Sequence, residues 1–295
     1  MKLAAIDIGS NAARLLIVEV VIDEEKHPYP SFNKLNLVRV PLRLGFDVFE
    51  TGYISKQRIG MVMQTMKAYK HLMKAYDVEH LKACATSAMR DAKNAGDLIR
   101  KIKLETDIAI EVISGDMEAN LVYENHVAEN MDNNHSYLYI DVGGGSTELS
   151  FFTNGKLTYK KSFNIGTIRI LKNMVKESQW DEMKDALKNL TKGQREVVAI
   201  GSGGNINKIF SMSKRKDGKP LTLELLKDYY KELSNVPLEE RISNYGLRED
   251  RADVIVPALQ IYTNAMRWAG AEEIYVPKIG LVDGLIQHLW EQVRQ

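Results

Sequence analysis

Residues 7–11 read Asp-Ile-Gly-Ser-Asn and residues 141–147 read Asp-Val-Gly-Gly-Gly-Ser-Thr, each closing a short apolar run. A lone Asp-x-Gly at a strand end is a common tight turn and says little about chemistry. Two copies in matched surroundings, AAIDIGSN and LYIDVGGG, say more. Glycine lets the backbone come close to a ligand, and consecutive exposed N–H groups form a cradle for an anion. Gly143, Gly144, Gly145 and Ser146 would supply one set of amides, and Gly9, Ser10 and Asn11 the opposing set. A carboxylate beside a phosphate repels it, so Asp7 and Asp141 make sense there only with a divalent cation or ordered water between. Mg²⁺ suits such a site, because it binds through few carboxylates together with phosphate oxygens and water. No G-x-x-x-x-G-K-[ST] sequence occurs, so this is not a P-loop. A further run, Gly201-Ser202-Gly203-Gly204, follows an apolar segment. It reads either as an anion site at a helix N-terminus or as a plain strand-to-helix turn.

The elements that must carry these turns are legible from hydrophobic period. Lys2 to Ile8, Arg14 to Ile22 and Leu35 to Leu44 read as strands, with the first turn between the first two. Ile59, Val62, Met66, Tyr69, Met73 and Tyr76 recur at steps of three and four, which predicts one buried helix face. His80 to Ala85 is a strand that runs into Thr86-Ser87, a helix N-cap signature. Ala109 to Ile113 is another strand, and Ser114-Gly115-Asp116 opens a helix. The polar stretch Asn130, Asp132, Asn133 and Asn134 is the expected interdomain boundary. Beyond it the pattern restarts, with Tyr137 to Val142 and Thr147 to Phe152 flanking the second turn. Glu196 to Ile200 is one more strand, and Val282 to Val293 closes the chain as a helix. A repeated strand–turn–strand unit implies an α/β protein of two duplicated domains facing one cleft. Domain I is expected at 1–128 plus 281–295, and domain II at 129–280.

Bulk properties set limits on partners. With 40 Lys and Arg against 39 Asp and Glu, the formal net charge is +1, so any anion site must be built locally. The single cysteine, Cys84, excludes an internal disulfide and reads as inert core. The apolar N-terminus is broken by Asp7, Asn11, Arg14 and Glu19, unlike a signal peptide or a membrane span, which makes the cytoplasm the expected location. Nothing points to a nucleic-acid or membrane partner. The six histidines show no ligand spacing. The basic run from Lys214 to Lys219 would either steer a polyanion or be a solvated loop.

The motifs IDIGSNAARLLI, ATSAMRDAKN, ISGDMEA, IDVGGGSTEL and GSGGNINKI occur in this order over nearly the whole chain. In this the sequence resembles the exopolyphosphatase / guanosine pentaphosphate phosphohydrolase family, within the superfamily of acetate and sugar kinases, actin and heat-shock chaperone ATPases. The resemblance implies two ribonuclease-H-like (actin-like ATPase) domains, Mg²⁺ dependence and removal of a terminal phosphate by water. It places the first phosphate turn on Asp7, Gly9, Ser10 and Asn11 with Arg14 just after. The second falls on Asp141, Gly143, Gly144, Gly145, Ser146 and Thr147, with Glu148 behind. Arg90, from ATSAMR, would lie near the phosphate chain, and Glu118, from ISGDMEA, would be the catalytic glutamate. Ala12 stands where relatives often have serine, and Met117 replaces the first member of a usual acidic pair.

On these grounds the expected substrate is linear polyphosphate, cut at its terminal phosphate. Guanosine pentaphosphate is the alternative substrate, and a non-catalytic sensor of guanosine tetraphosphate the alternative role. Glu118 is expected as the general base. Its position fits equally a carboxylate that complements a helix N-terminus, and Glu148 is the competing base. A second copy of the chain, forming a homodimer, is a candidate partner.

Overall fold

The first strand, β1 (Lys2–Ile8), is buried along almost its whole length because it lies in the interior of a sheet. That is why its sequence is a continuous apolar run rather than an alternation, with Asp7 the one buried charged residue in it. The computed structural model describes residues 1–22, 30–123 and 134–294. The chain divides into two compact units: Met1–Ser114 with the C-terminal segment from Leu281, and Gly115–Asn120 with the chain that ends at Gly280. The expected boundary at residues 128 and 129 lies outside the described residues.

In the first unit β1, β2 (Ala13–Val21), β3 (Ser31–Val40), β4 (His80–Ala85) and β5 (Glu111–Val112) form a five-stranded sheet in the order β3-β2-β1-β4-β5. The hairpin pairs are antiparallel, while β4 runs parallel to β1. The methionine–tyrosine helix, Lys56–Ala75, buries Val62, Met66, Tyr69 and Met73, so the stripe is core. The closing helix Leu281–Val293 packs on β1 and β4 and stacks Trp290 edge-on against Phe32, centroids 6.4 Å apart.

The second unit repeats the plan. Strands β6 (Ser136–Val142), β7 (Thr147–Thr153), β8 (Lys156–Phe163), β9 (Val197–Ser202), β10 (Leu221–Thr222) and β11 (Glu273–Tyr275) form a sheet in the order β10-β11-β9-β6-β7-β8. Read outward from β6, the arrangement copies that around β1, with two antiparallel strands on one side and the parallel strands β9 and β11 on the other, and it adds β10 antiparallel at the edge. The helix Ile255–Ala269 buries Ile255, Leu259, Ile261, Tyr262 and Met266 in the core of this unit. Burying one such side chain is worth about 1.5–3 kcal/mol.

Several expectations shift. The third strand is Ser31–Val40, not Leu35 to Leu44, because Arg43 turns left-handed at φ 54° and starts the helix Leu44–Thr51. Only Glu111–Val112 of the expected strand Ala109 to Ile113 is paired. Thr86 precedes its helix without a side-chain capping bond. The helix Gly115–Tyr123, expected wholly in domain I, gives Gly115–Asn120 to the second unit. No helix among the described residues is long and apolar enough to cross a membrane.

The second turn is held from behind by a short helix, Thr167–Leu171, whose preceding residue Gly166 lies against it. A Cβ at Gly166 would fall 2.4–2.6 Å from backbone atoms of Gly144 and Gly145. Backbone cannot yield as a flexible side chain does. Gly166→Ala is therefore expected to cost at least about 1–3 kcal/mol, the usual range for overpacking. Chemical unfolding of the variant checks this, and an unchanged midpoint would contradict it.

Candidate active site

Both turns are closed in the same way. The Gly9 amide donates to the Ala12 carbonyl at 3.0 Å, and the Gly143 amide to the Ser146 carbonyl at 2.9 Å. The carbonyls at the tips point back into the protein. Those of Ser10 and Asn11 accept from the amides of Gly45 and Arg43 at 2.9 Å each. In the second turn Gly143 and Gly144 accept from the amides of Thr167 and Ile168, and Gly145 from Arg169 Nε at 2.8 Å. Among the described residues the amides of Ser10, Gly144, Gly145 and Ser146 donate no backbone–backbone hydrogen bond. A loop whose carbonyls are tied inward presents positive potential outward, which is the property of an anion nest.

The two hairpins differ in charge at one matched place. Across β1 and β2, Asp7 lies opposite Arg14, and across β6 and β7, Asp141 lies opposite Glu148. Arg14 Nη1 donates to Asp7 Oδ2 at 2.7 Å, so the first turn carries its own counter-charge. Asp7 is 3 % exposed. Burial pushes its carboxyl above the ordinary value of 3.8, against the opposing pull of Arg14. Its Oδ1 is buried with no hydrogen-bond partner among the described residues. That acceptor suits a cation or a water. Behind it Tyr69 donates to the carbonyls of Ala13 and Val38, and burial, then Asp7, pushes its hydroxyl well up.

The second hairpin concentrates acids instead. Glu148 is buried, and its Oε1 accepts from Ser162 Oγ at 2.8 Å. Asp141, one residue before the end of β6, lies beside Gly203, whose left-handed φ of +115° strains any other residue and whose added Cβ would fall 3.0 Å from the Val142 carbonyl oxygen and 3.4 Å from Asp141 Oδ1. The Tyr262 hydroxyl donates to the Ser202 carbonyl. Burial, then Asp141, pushes that phenol far up. Glu118 sits in the first turns of Gly115–Tyr123, in the half that belongs to this unit. No three His, Cys, Asp or Glu side chains converge as a cage among the described residues. A cation here would complete its shell with water and substrate oxygens, as Mg²⁺ does.

Other expected residues have distinct placements. Ser10 Oγ shares a buried hydrogen bond of 2.8 Å with Ser87 Oγ, which ties the first turn to the helix that carries Arg90. Arg90 is exposed, with Nη1 donating to the Ile113 carbonyl at 2.8 Å. Thr147 is fully buried and gives its hydroxyl to the Ile165 carbonyl at 2.6 Å, so its side chain braces the second turn from inside. Arg251 donates to the Gly204 carbonyl at the head of the helix Gly204–Met212. The basic run near residue 216 is an exposed turn in which Asp217 pairs with Lys278 at 2.5 Å. Gly166, Arg169 and Ser162 escaped the sequence reading. The glycine before Thr167 was the one visible signal among them.

With this geometry described, the comparisons decide the family. The model of the Ppx/GppA phosphatase family matches residues 20–292. The chain belongs to that family. It is similar to a bifunctional 3-dehydroquinate synthase/phosphatase of Fusobacterium nucleatum, 28% identical over 92% of this chain. The match spans 44% of that relative, less than half its length. It is also similar to exopolyphosphatase 1 of Mycobacterium tuberculosis, 24% identical over 97% of this chain and 87% of the relative. Among solved structures, an exopolyphosphatase from Cytophaga hutchinsonii superposes with a TM-score of 0.85 at 25% identity, covering 99% of this chain and 98% of the other. A Ppx/GppA family member from Aquifex aeolicus gives 0.77 at 27% identity over 100% and 99%. Such coverage extends the family fold of two ribonuclease-H-like domains to the whole chain.

Asp7 yields a pH test. Its folded carboxyl keeps a proton to higher pH than the unfolded one, so protonation favours the fold. The stability of the protein relative to Asp7→Asn is expected to rise as pH falls from neutrality toward 3.8, and to drop as pH rises. Thermal unfolding of both proteins across that range measures it; a stability relative to Asp7→Asn that falls on acidification would overturn the assignment.

Proposed function

We propose that this protein is an exopolyphosphatase that releases orthophosphate from the end of linear polyphosphate. The observation that carries this reading is the matched pair of turns with carbonyls tied inward and amides left to face an anion. Family membership supports a phosphatase, and the exopolyphosphatase names of the Mycobacterium and Cytophaga relatives support the substrate. In this reading the turns Gly9–Ser10–Asn11 and Gly143–Gly144–Gly145–Ser146 each bind phosphate.

Asp141, with Asp7, would hold Mg²⁺, which when bound neutralises the phosphate oxygens and lets the carboxylates tolerate them. The chain's own residues do the rest. Arg90 grips a non-reacting phosphate through charge-assisted hydrogen bonds from the part of its fork that Ile113 does not use. Arg14, half committed to Asp7, adds positive charge beside the first turn. Glu118 accepts a proton from the attacking water as its oxygen bonds to the terminal phosphorus. The bridging P–O bond breaks, and the electron pair leaves with the shortened chain. Glu148, held by Ser162, orients water at the second turn.

The test is phosphate release from a short polyphosphate without any acceptor. Release should stop in excess chelator and return with Mg²⁺. Glu118→Gln, which keeps shape and removes basicity, should fold normally and lose roughly 10²–10⁴-fold in turnover. Turnover that persists in chelator or in Glu118→Gln would refute these assignments.

A further inference from the structure

The motif Ser114-Gly115-Asp116 opens the helix Gly115–Tyr123 directly against β8, the edge strand of the second sheet. An added Cβ at Gly115 would lie 2.6 Å from both Cβ and Oγ of Ser162, and 3.6 Å from Glu148 Oε1. The same Ser162 hydroxyl bonds that Oε1 at 2.8 Å. Two residues before it on β8, hence on the same face of the sheet, Lys160 Nζ reaches Asn120 Oδ1 of the helix at 2.7 Å. Gly115, Asn120, Glu148, Lys160 and Ser162 all belong to the second unit.

We propose that Ser162 is a positioning residue for both candidate carboxylates. Its hydroxyl fixes the rotamer of Glu148, and its small Cβ, facing a glycine, sets how deeply the helix that carries Glu118 docks. Ser162 touches no substrate. It acts through its two neighbours, and the smallness of positions 115 and 162 is one shared property. A larger pair would lift the first turn of the helix off β8 and carry Glu118 with it. A base displaced by about 1 Å can lose on the order of 10²-fold in rate. Binding depends on the glycine turns and is unaffected by this displacement. The inference rests on the reading of Glu118 and Glu148 given above.

A double-variant cycle in the full-length protein, assayed on tripolyphosphate with Mg²⁺, tests it. Gly115→Ala should lower kcat on the order of 10²-fold while KM stays within about 2-fold. Ser162→Ala, which removes only the hydroxyl, should lower kcat with the same constancy of KM. Combining Gly115→Ala with Ser162→Gly should relieve the clash and leave only the loss seen in Ser162→Ala, so that the Gly115→Ala penalty on kcat largely disappears in the Ser162→Gly background, and thermal unfolding should show the same positive coupling. The thermal readout holds even for a variant too damaged to assay. Effects that simply multiply, or a Ser162→Ala enzyme with unchanged kcat, overturn the positioning role when Glu118→Gln is inactive. A fully active Glu118→Gln would instead overturn the reading beneath it, and with it this inference.

Discussion

The rest of the site depends on the inward tie of the turn carbonyls. A four-residue turn between antiparallel strands leaves both amides and carbonyls at its tip, and an anion is attracted by the first and repelled by the second. In both units the fold resolves this by packing the head of a helix behind the turn. Gly45 and Arg43 do it for the first, and Thr167, Ile168 and Arg169 for the second. The second case forces Gly166, since nothing larger fits against Gly144 and Gly145. The glycines of the turn itself are only half of the device; the other half is a donor set well further along the chain, at Arg43 and Gly45 for the first turn and at Thr167 to Arg169 for the second.

Both units carry the same hairpin, and charge distinguishes them. Asp7 faces Arg14 where Asp141 faces Glu148. The first pair is close to neutral and partly buried, so that turn can receive a phosphate with little added charge. The second pair doubles the negative charge beside a phosphate turn, with Glu118 on a helix of the same unit. An arrangement of that kind is costly unless a cation binds with the substrate. The asymmetry is what makes the proposed division sensible, with grip on one side and chemistry on the other.

Much of this was legible in the residues. The apolar runs around Asp7 and Asp141, the repeated Asp-x-Gly and the helical stripe through Met66 and Tyr69 all follow from burial on fixed periods. What stayed hidden has equally physical causes. Strand β8 reads Lys-Leu-Thr-Tyr-Lys-Lys-Ser-Phe and is mostly exposed, because an edge strand protected by lysines needs no apolar alternation. Strand β3 is also an edge, largely exposed, and its ends are set by pairing with β2 and by the left-handed Arg43 rather than by hydrophobicity. Strands β10 and β11 are too short to show a period. Ser162 looked like any strand serine, since its partners, Gly115 and Glu148, are distant in sequence. Arg14 was read as a phosphate ligand, and the register that places it on Asp7 emerges only from the hairpin.

The central claim is that both turns bind phosphate through backbone amides. Amide resonances of the isotopically labelled protein, followed while tripolyphosphate is added with Mg²⁺, address it directly. The account predicts that the amides of Ser10, Gly144 and Gly145 shift together and saturate at the same ligand concentration. A response confined to one turn, or absent from both while phosphate is still released, would contradict it.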